Sequence, residues 1–397
     1  MKINRNNSLY LFGICIFTFS ELLGKTVLYE YNVTSIICDI MRYAIAFPIV
    51  LIVFFVDKKI SYRTFLISIC AIIIIALNIF FAKEKRLILI ALYVIAGRNI
   101  KLEQIIKVAF ITIAFVFTAT IVLNMLGILE NVVYIQQHGT RVRNSLGFKY
   151  SSYSGNLLLH LTCMYIFLKK DKFSILHGAI IFALSGIIYY LTDTNFAFAC
   201  TVLAVSSTLI INYCRWFKVF DSIFWILERN VCLISMFLSI AITIMYTFNK
   251  PFLEQLNLIL NQRLRLGSVA IYKYGIHLFG NYFDLIGPVE ILNDNSLVYN
   301  YVDSSYVQIL LKYGILFLIL LVCIISRFCK NIFNVKEYYL AIAMIVILLH
   351  SMLEPQLLDI GYNPFLFGMG IAFKKNAYSN IHPKRKFPLR KHGIYSI

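Results

Sequence analysis

Two arginine pairs stand in polar connections of a chain that is otherwise built from long apolar runs. Arg141 and Arg143 lie in Gln136-Gln137-His138-Gly139-Thr140-Arg141-Val142-Arg143-Asn144-Ser145-Leu146-Gly147-Phe148, and Arg263 and Arg265 in Leu260-Asn261-Gln262-Arg263-Leu264-Arg265-Leu266-Gly267. A guanidinium is planar, keeps its charge at any physiological pH, and grips phosphate oxygens through two parallel hydrogen bonds. Fixed in place beside a breaking sugar–diphosphate bond, such groups stabilise the negative charge where it develops. If both connections lie on one face of a bilayer, they form a paired anion site suited to a lipid-linked phosphate. Taken singly, each arginine equally suits snorkelling to lipid headgroups.

Other polar residues gather in the same stretches. The second arginine connection continues as Tyr272-Lys273-Tyr274-Gly275-Ile276-His277-Leu278-Phe279-Gly280-Asn281 and reaches Asp303-Ser304-Ser305-Tyr306. Tyr, Asn and Asp recur through 281–306, a composition that suits carbohydrate stacking and hydrogen bonding as well as an ordinary solvated loop. His350 and Glu354 are four apart, so they share a helix face, and either could take a proton from a hydroxyl. Asp39 and Arg42, three apart inside an apolar run, form a structural ion pair on one helix face. Asp193 stands in a very short turn, and His160 and Lys312 serve polar packing. The chain contains no Walker A sequence, no GxGxxG and no Asp-rich metal motif, so its energy source is an activated substrate or a gradient.

The elements that position these residues follow from composition. Hydrophobic residues make up 60% of the 397 and charged residues 14%. A crossing helix takes roughly 20 apolar residues, so about a dozen crossings are possible. Only helices or closed barrels satisfy backbone polar groups in lipid, and the continuous rather than alternating apolar runs exclude a barrel. The expected fold is an all-α polytopic bundle of about 12 membrane helices (10–12). Its segments are 8–24, 33–56, 64–81, 87–100, 106–128, 154–168, 175–191, 196–214, 230–248, 307–325, 338–351 and 362–373. The fourth and last are short. Residues 1–373 form one membrane domain, and 374–397 a basic cytoplasmic tail on anionic headgroups, which accounts for much of the +18 net charge without nucleic acid.

Lys and Arg counts orient the bundle. The basic tail is placed inside, together with 326–337, 215–229 and 169–174, while 352–361 and 192–195 are cation-free and outside. Both termini are then cytoplasmic, and the two long connections, 129–153 and 249–306, lie on the outer face. Both carry Lys and Arg despite that position. Lys83-Glu84-Lys85-Arg86 also breaks the bias: either the segment after it does not span, or its charges serve a function. Lys2 and Arg5 precede the first apolar run without a cleavage pattern, so that run is a helix rather than a signal peptide. The nine cysteines lie in or beside apolar segments with no CxxC pair, as small buried hydrophobes do.

The order of the motifs resembles the Wzy-type O-antigen and capsular polysaccharide polymerases, relatives of the O-antigen ligases. The matching pieces are Arg141 to Phe148 with Asn156, then Arg263-Leu264-Arg265 before Tyr274-Gly275 and Leu278-Phe279-Gly280. Asp303-Ser304-Ser305-Tyr306, Tyr313-Gly314-Ile315, and Glu354 before Tyr362-Asn363-Pro364-Phe365 complete the order. The resemblance covers about 141–370. It implies a GT-C-like membrane glycosyltransferase of the bacterial cytoplasmic (inner) membrane. Such an enzyme joins undecaprenyl-diphosphate-linked oligosaccharide repeats outside that membrane, needs no metal or cofactor, and works beside a chain-length regulator and a flippase. It further implies that Arg143 and Arg263 hold the diphosphate, with Arg141 and Arg265 as neighbours. Asn156, Tyr274 and Tyr306 would contact the glycan, and Glu354, Asp303 and His277 are the candidates for activating the acceptor. In one departure, Asn195 stands where many relatives carry arginine, which leaves the donor phosphate to the two loops or to another arginine. The tripeptide His-Pro-Asn often seen near Asn156 is also absent. A ligase with the same donor, and a flippase for lipid-linked oligosaccharide, are the alternatives; the chain has no internal repeat of the kind transporters carry.

Overall fold

In lipid, a long apolar run satisfies its backbone only by becoming a helix, and the chain is helical nearly throughout. The computed structural model describes residues 5–56, 62–135, 142–214, 217–294 and 296–373. In order these are α1 (Arg5–Leu23), α2 (Asn32–Asp39), a π-helical stretch (Ile40–Ala46), α3 (Phe47–Val56), α4 (Tyr62–Ala82), α5 (Arg86–Ala96) and α6 (Leu102–Met125). A hairpin of β1 (Val133–Ile135) and β2 (Val142–Asn144) follows, then α7 (Ser152–Lys169), α8 (Ile175–Thr192), α9 (Asn195–Tyr213) and α10 (Phe217–Phe248). Three short helices, α11 (Lys250–Ile259), α12 (Arg263–Tyr274) and α13 (Pro288–Asn293), precede α14 (Ser305–Val335), α15 (Tyr338–His350) and α16 (Phe365–Gly368). Arg141 and the basic stretch 374–397 lie outside the described residues.

Among the described residues, six helices are long and apolar enough to cross a membrane: Asn32–Val56, Leu102–Met125, Ile175–Thr192, Asn195–Tyr213, Asp221–Phe248 and Ser305–Val335. Ser68–Ala82 and Tyr338–His350 are shorter apolar helices. Phe55, Phe80, Phe115, Ile187, Phe237 and Ile319 are exposed on their outer faces, so the lateral surface is apolar in the manner of a helix bundle in lipid. The protein is an all-α polytopic membrane protein.

The count of about twelve crossings is not reached by length and composition. At 11 residues, α5 is about 16 Å long, half the roughly 30 Å of hydrocarbon. The last apolar segment forms only α16 and a 3₁₀ turn, Met369–Phe373. These two short pieces pack against each other in the interior through glycine: a Cβ on Gly370 would strike the Val94 carbonyl, and one on Gly97 the Tyr10 hydroxyl. Tyr93 is the centre of this region. It is fully buried, stacks with Phe17 at 5.4 Å, donates to the Ala46 carbonyl at 2.9 Å, and its own carbonyl accepts from the Tyr10 hydroxyl at 2.7 Å.

One end of the bundle gathers both arginine connections. Val27 N–H donates to the Gly147 carbonyl at 3.1 Å, and Lys25 pairs with Asp359. The cationic connection 83–86 is also here, where Lys83 lies 4.4 Å over the Tyr282 ring, Glu84 pairs with Lys312, and Phe81 stacks on Phe279. Its charges therefore belong to the same end as the arginines.

A break in α14 shapes this end. Gly314 has φ +83° inside the helix, and the strand-like stretch 277–281 hydrogen-bonds into the gap: Ile315 N–H to the His277 carbonyl at 3.1 Å, Leu316 N–H to the Leu278 carbonyl at 3.2 Å. Gly280 has φ +87° against the Lys312 carbonyl. A Cβ at Gly314 would meet both the left-handed penalty, about 1–2 kcal/mol, and the 278–280 backbone. Gly314→Ala is expected to lower the melting temperature of the purified protein by several degrees; an unchanged melting curve would show that the break is not required.

Candidate functional site

Arg143 reaches the site from the hairpin, where it pairs with Tyr134 across the strands. Strand β2 docks on the turn between α8 and α9. Asn144 Nδ2 donates to the Leu191 carbonyl at 3.1 Å, and Arg143 Nε donates to the Thr192 carbonyl at 3.1 Å. Asp193, left-handed at φ +54°, ends α8 and turns these carbonyls toward the hairpin. Arg143 Nη1 donates to the Tyr150 hydroxyl at 3.3 Å, and its guanidinium lies 5.5 Å from the centre of that ring. Among the described residues, no carboxylate forms an ion pair with Arg143. The turn at 192–195, which lacks an arginine of its own, thus receives one from the hairpin.

Arg263 opens α12. The tight link from α11 puts Asn261 and Gln262 at positive φ, and the fully buried Asn257 holds it by accepting from the Arg265 amide at 3.0 Å. This aims Arg263 inward and Arg265 outward, as two residues set 200° apart around a helix must be. Arg263 Nη2 donates to Glu354 Oε1 at 2.5 Å, and its Nε lies 3.8 Å from Asp303 Oδ2. Glu354 also accepts from Asn156 Nδ2 at 3.0 Å on its other oxygen, with Gln356 Nε2 at 3.5 Å. Asn156, Arg263, Asp303 and Glu354 therefore form one cluster, and Arg143, bonded to Tyr150, stands near enough to act electrostatically on Asp303.

Asp303 and Glu354 are held by interlocking segments. Ser304 caps α14 by accepting from the Val307 amide. Ser305 Oγ donates to the Glu354 carbonyl at 2.5 Å and accepts from the Leu357 amide at 3.1 Å. The two carboxylates differ in freedom. Glu354 has both oxygens engaged, whereas among the described residues Asp303 has only the long contact to Arg263. Burial pushes the Asp303 carboxyl up to about 6, with Arg263 and Arg143 opposing and Glu354 reinforcing the rise. Of the two carboxylates it is therefore the one with room to accept a further hydrogen bond. Burial likewise raises the hydroxyls of Tyr150 and Tyr301.

Other expected site residues stand elsewhere. Tyr306 is a correction: it is fully buried, its hydroxyl bonded to Ser235 Oγ at 2.7 Å and to the Leu348 carbonyl at 3.1 Å, so it joins α10, α14 and α15 and offers nothing to a glycan. Its position in the first turn of a helix let it face inward. His277 is exposed, with its ring against the Tyr274 carbonyl at 2.9 Å, and does not contact the carboxylates. Tyr274 stacks on Phe283 at 4.0 Å and accepts from Asn300 at 2.6 Å, which leaves it at the edge of the loop layer. The sequence reading missed Tyr150 and Tyr301; the Tyr-rich composition of 281–306 was the available signal for the second. The expected Asp39–Arg42 pair exists at 3.3 Å, but Arg42 is held more closely by Glu21 at 2.6 Å.

Comparison with family models, with curated proteins and with solved structures gives no match.

Proposed function

We propose that the protein is a polysaccharide polymerase that joins lipid-diphosphate-linked oligosaccharide repeats at the outer face of a bacterial cytoplasmic membrane. The observation that carries this reading is the nearness of an arginine free of any described carboxylate partner, Arg143, to a half-buried carboxyl with unused hydrogen-bonding capacity, Asp303. The first is what a diphosphate leaving group needs and the second is what an acceptor hydroxyl needs. In this reading the bundle carries its ten to twelve segments with the arginine end outside and both termini inside.

The reaction breaks the bond between the anomeric carbon of the donor glycan and the diphosphate oxygen, which leaves with the electron pair. Arg143, and Arg263 as it shares itself with Glu354, stabilise that oxygen's growing charge. The acceptor hydroxyl oxygen bonds to the anomeric carbon, and its proton passes to the Asp303 carboxylate. Glu354 acts through Arg263 and Asn156 as a positioning residue, and His277 has no part.

Asp303 must be ionised to take the proton. Transfer is therefore expected to rise with pH through about 6 and level off above it. Asp303→Asn should remove that limb and lower turnover by about 10²–10⁴-fold, while His277→Ala should retain most of the activity. A profile with the same limb in Asp303→Asn would assign the base elsewhere.

In cells, surface polysaccharide run on a gel tests the reading. Loss of the long ladder, with single repeats still present in cells lacking the gene, supports a polymerase. Loss of all surface glycan with accumulation of lipid-linked units points instead to a flippase or a ligase.

A further inference from the structure

A polar space lies against the cluster. It is a cavity of about 210 Å³ whose charged lining is Glu21, Glu84, Arg86, Lys312 and Asp359. Tyr301, Ser305 and Pro355 also line it. These flank Asp303 and Glu354 in the chain, so the segments that hold the two carboxylates form the wall between the cavity and the cluster.

The cavity continues into the bilayer zone. A nearly wholly apolar groove of about 70 Å³ runs between α4, α5 and α14, lined among others by Ala71, Ile75, Ala91, Phe317 and Leu321. Leu87, Ile90 and Leu358 line both spaces. At about 70 Å³, half the roughly 150 Å³ of an engineered apolar cavity that takes one benzene, the groove holds a short length of one hydrocarbon chain and not two side by side. A charged cavity opening into a single-chain apolar groove is complementary to an amphiphile.

The cations at the junction differ. Lys312 is closely paired with Glu84, and Arg42 already occupies Glu21 at 2.6 Å. Among the described residues Arg86 has only a distant ion pair, with Glu21 at 3.9 Å, and its side chain is 58% exposed. It is the guanidinium best able to turn to an incoming anion, and it stands at the start of α5, where the groove begins. It also belongs to the connection whose positive charge breaks the topology bias.

We propose that the cavity and groove together hold one single-chain lipid phosphate, with its phosphate on Arg86 and its chain between α4, α5 and α14. Resting on the polymerase reading, this lipid is the carrier of the acceptor repeat, the donor's diphosphate being at Arg143. The acceptor's sugar then lies beside the wall that carries Asp303.

The test uses the full-length protein in phosphatidylcholine nanodiscs with a polyprenyl phosphate that bears a photoreactive group on its chain. Crosslinks are expected in the peptides 87–95 and 317–324. Ala91→Trp should reduce them at least about tenfold, and Ile75→Trp, from the opposite wall, provides the same test should the first variant fold poorly. Arg86→Gln should weaken probe binding about tenfold, equivalent to about 1.4 kcal/mol. Excess inorganic phosphate or phosphatidylglycerol should leave labelling unchanged. Labelling spread evenly over the lipid-facing helices, equal competition by phosphatidylglycerol, or full labelling in both tryptophan variants would overturn the proposal. Because labelling needs no turnover, groove labelling in a protein that transfers no glycan would sink only the polymerase reading. Glycan transfer without groove labelling would sink only this one.

Discussion

Arg143→Ala is expected to cut polymer formation at least about 10²-fold, the effect of deleting one donor to a developing oxyanion, with the protein's level unchanged and its melting temperature lowered by only a few degrees. The two halves of that expectation have separate causes. Arg143 is held by a carbonyl and a tyrosine hydroxyl, both neutral. Its removal therefore strands no buried carboxylate, and the fold loses only modest hydrogen bonds, about 1 kcal/mol each. Its charge, by contrast, is not spent on any described carboxylate and remains for a ligand. Arg143→Lys should rescue poorly, since an ammonium has neither the Nε–H that reaches Thr192 nor the fork that grips two phosphate oxygens. Polymer length on gels together with immunoblots of the membrane fraction checks both halves. Long chains at normal length in Arg143→Ala would remove it from the site.

Arg263→Ala is expected to be worse, abolishing activity and destabilising the protein together. Arg263 sits between two carboxylates, at 2.5 Å from Glu354 and 3.8 Å from Asp303, with only 20% of its own side chain exposed. Removing one partner of a buried pair leaves an uncompensated charge and costs about 3–5 kcal/mol. Here two carboxylates are left facing each other. Adding Glu354→Gln to Arg263→Ala should recover much of the stability, because the amide no longer needs a cation, and recover none of the activity. The double-mutant cycle separates the two roles. If Arg263→Ala melts like the parent, the ion pair is not the clasp of this site.

The helices were legible because hydrophobicity reports them directly. The apolar runs 175–191 and 196–214 became Ile175–Thr192 and Asn195–Tyr213. What composition does not carry is contact. The second arginine pair reads as a unit in sequence, yet helix geometry sends Arg265 outward and Arg263 inward. Asp303-Ser304-Ser305-Tyr306 reads as one motif, yet its four residues do four jobs: proton acceptor in our reading, helix cap, latch to 354–357, and interhelical bond. Glu21 was passed over because nothing near it in sequence is its partner; Arg42 is 21 residues on and turned inward in the π-helical stretch. Asp303 and Glu354 were both legible as candidates, but only their unequal hydrogen bonding separates acid–base work from positioning. The short α5 and the 3₁₀ end of the last segment were marked by their length, while their mutual packing through Gly97 and Gly370 was not.

The most direct test of the account is reconstitution of the purified protein in proteoliposomes with a lipid-diphosphate-linked oligosaccharide as sole substrate. The account predicts glycans of two and more repeat lengths, with one equivalent of lipid diphosphate released for each linkage formed, and with no product from Arg143→Ala. Oligosaccharide that stays one repeat long, whether it remains in place or moves across the bilayer, would contradict it.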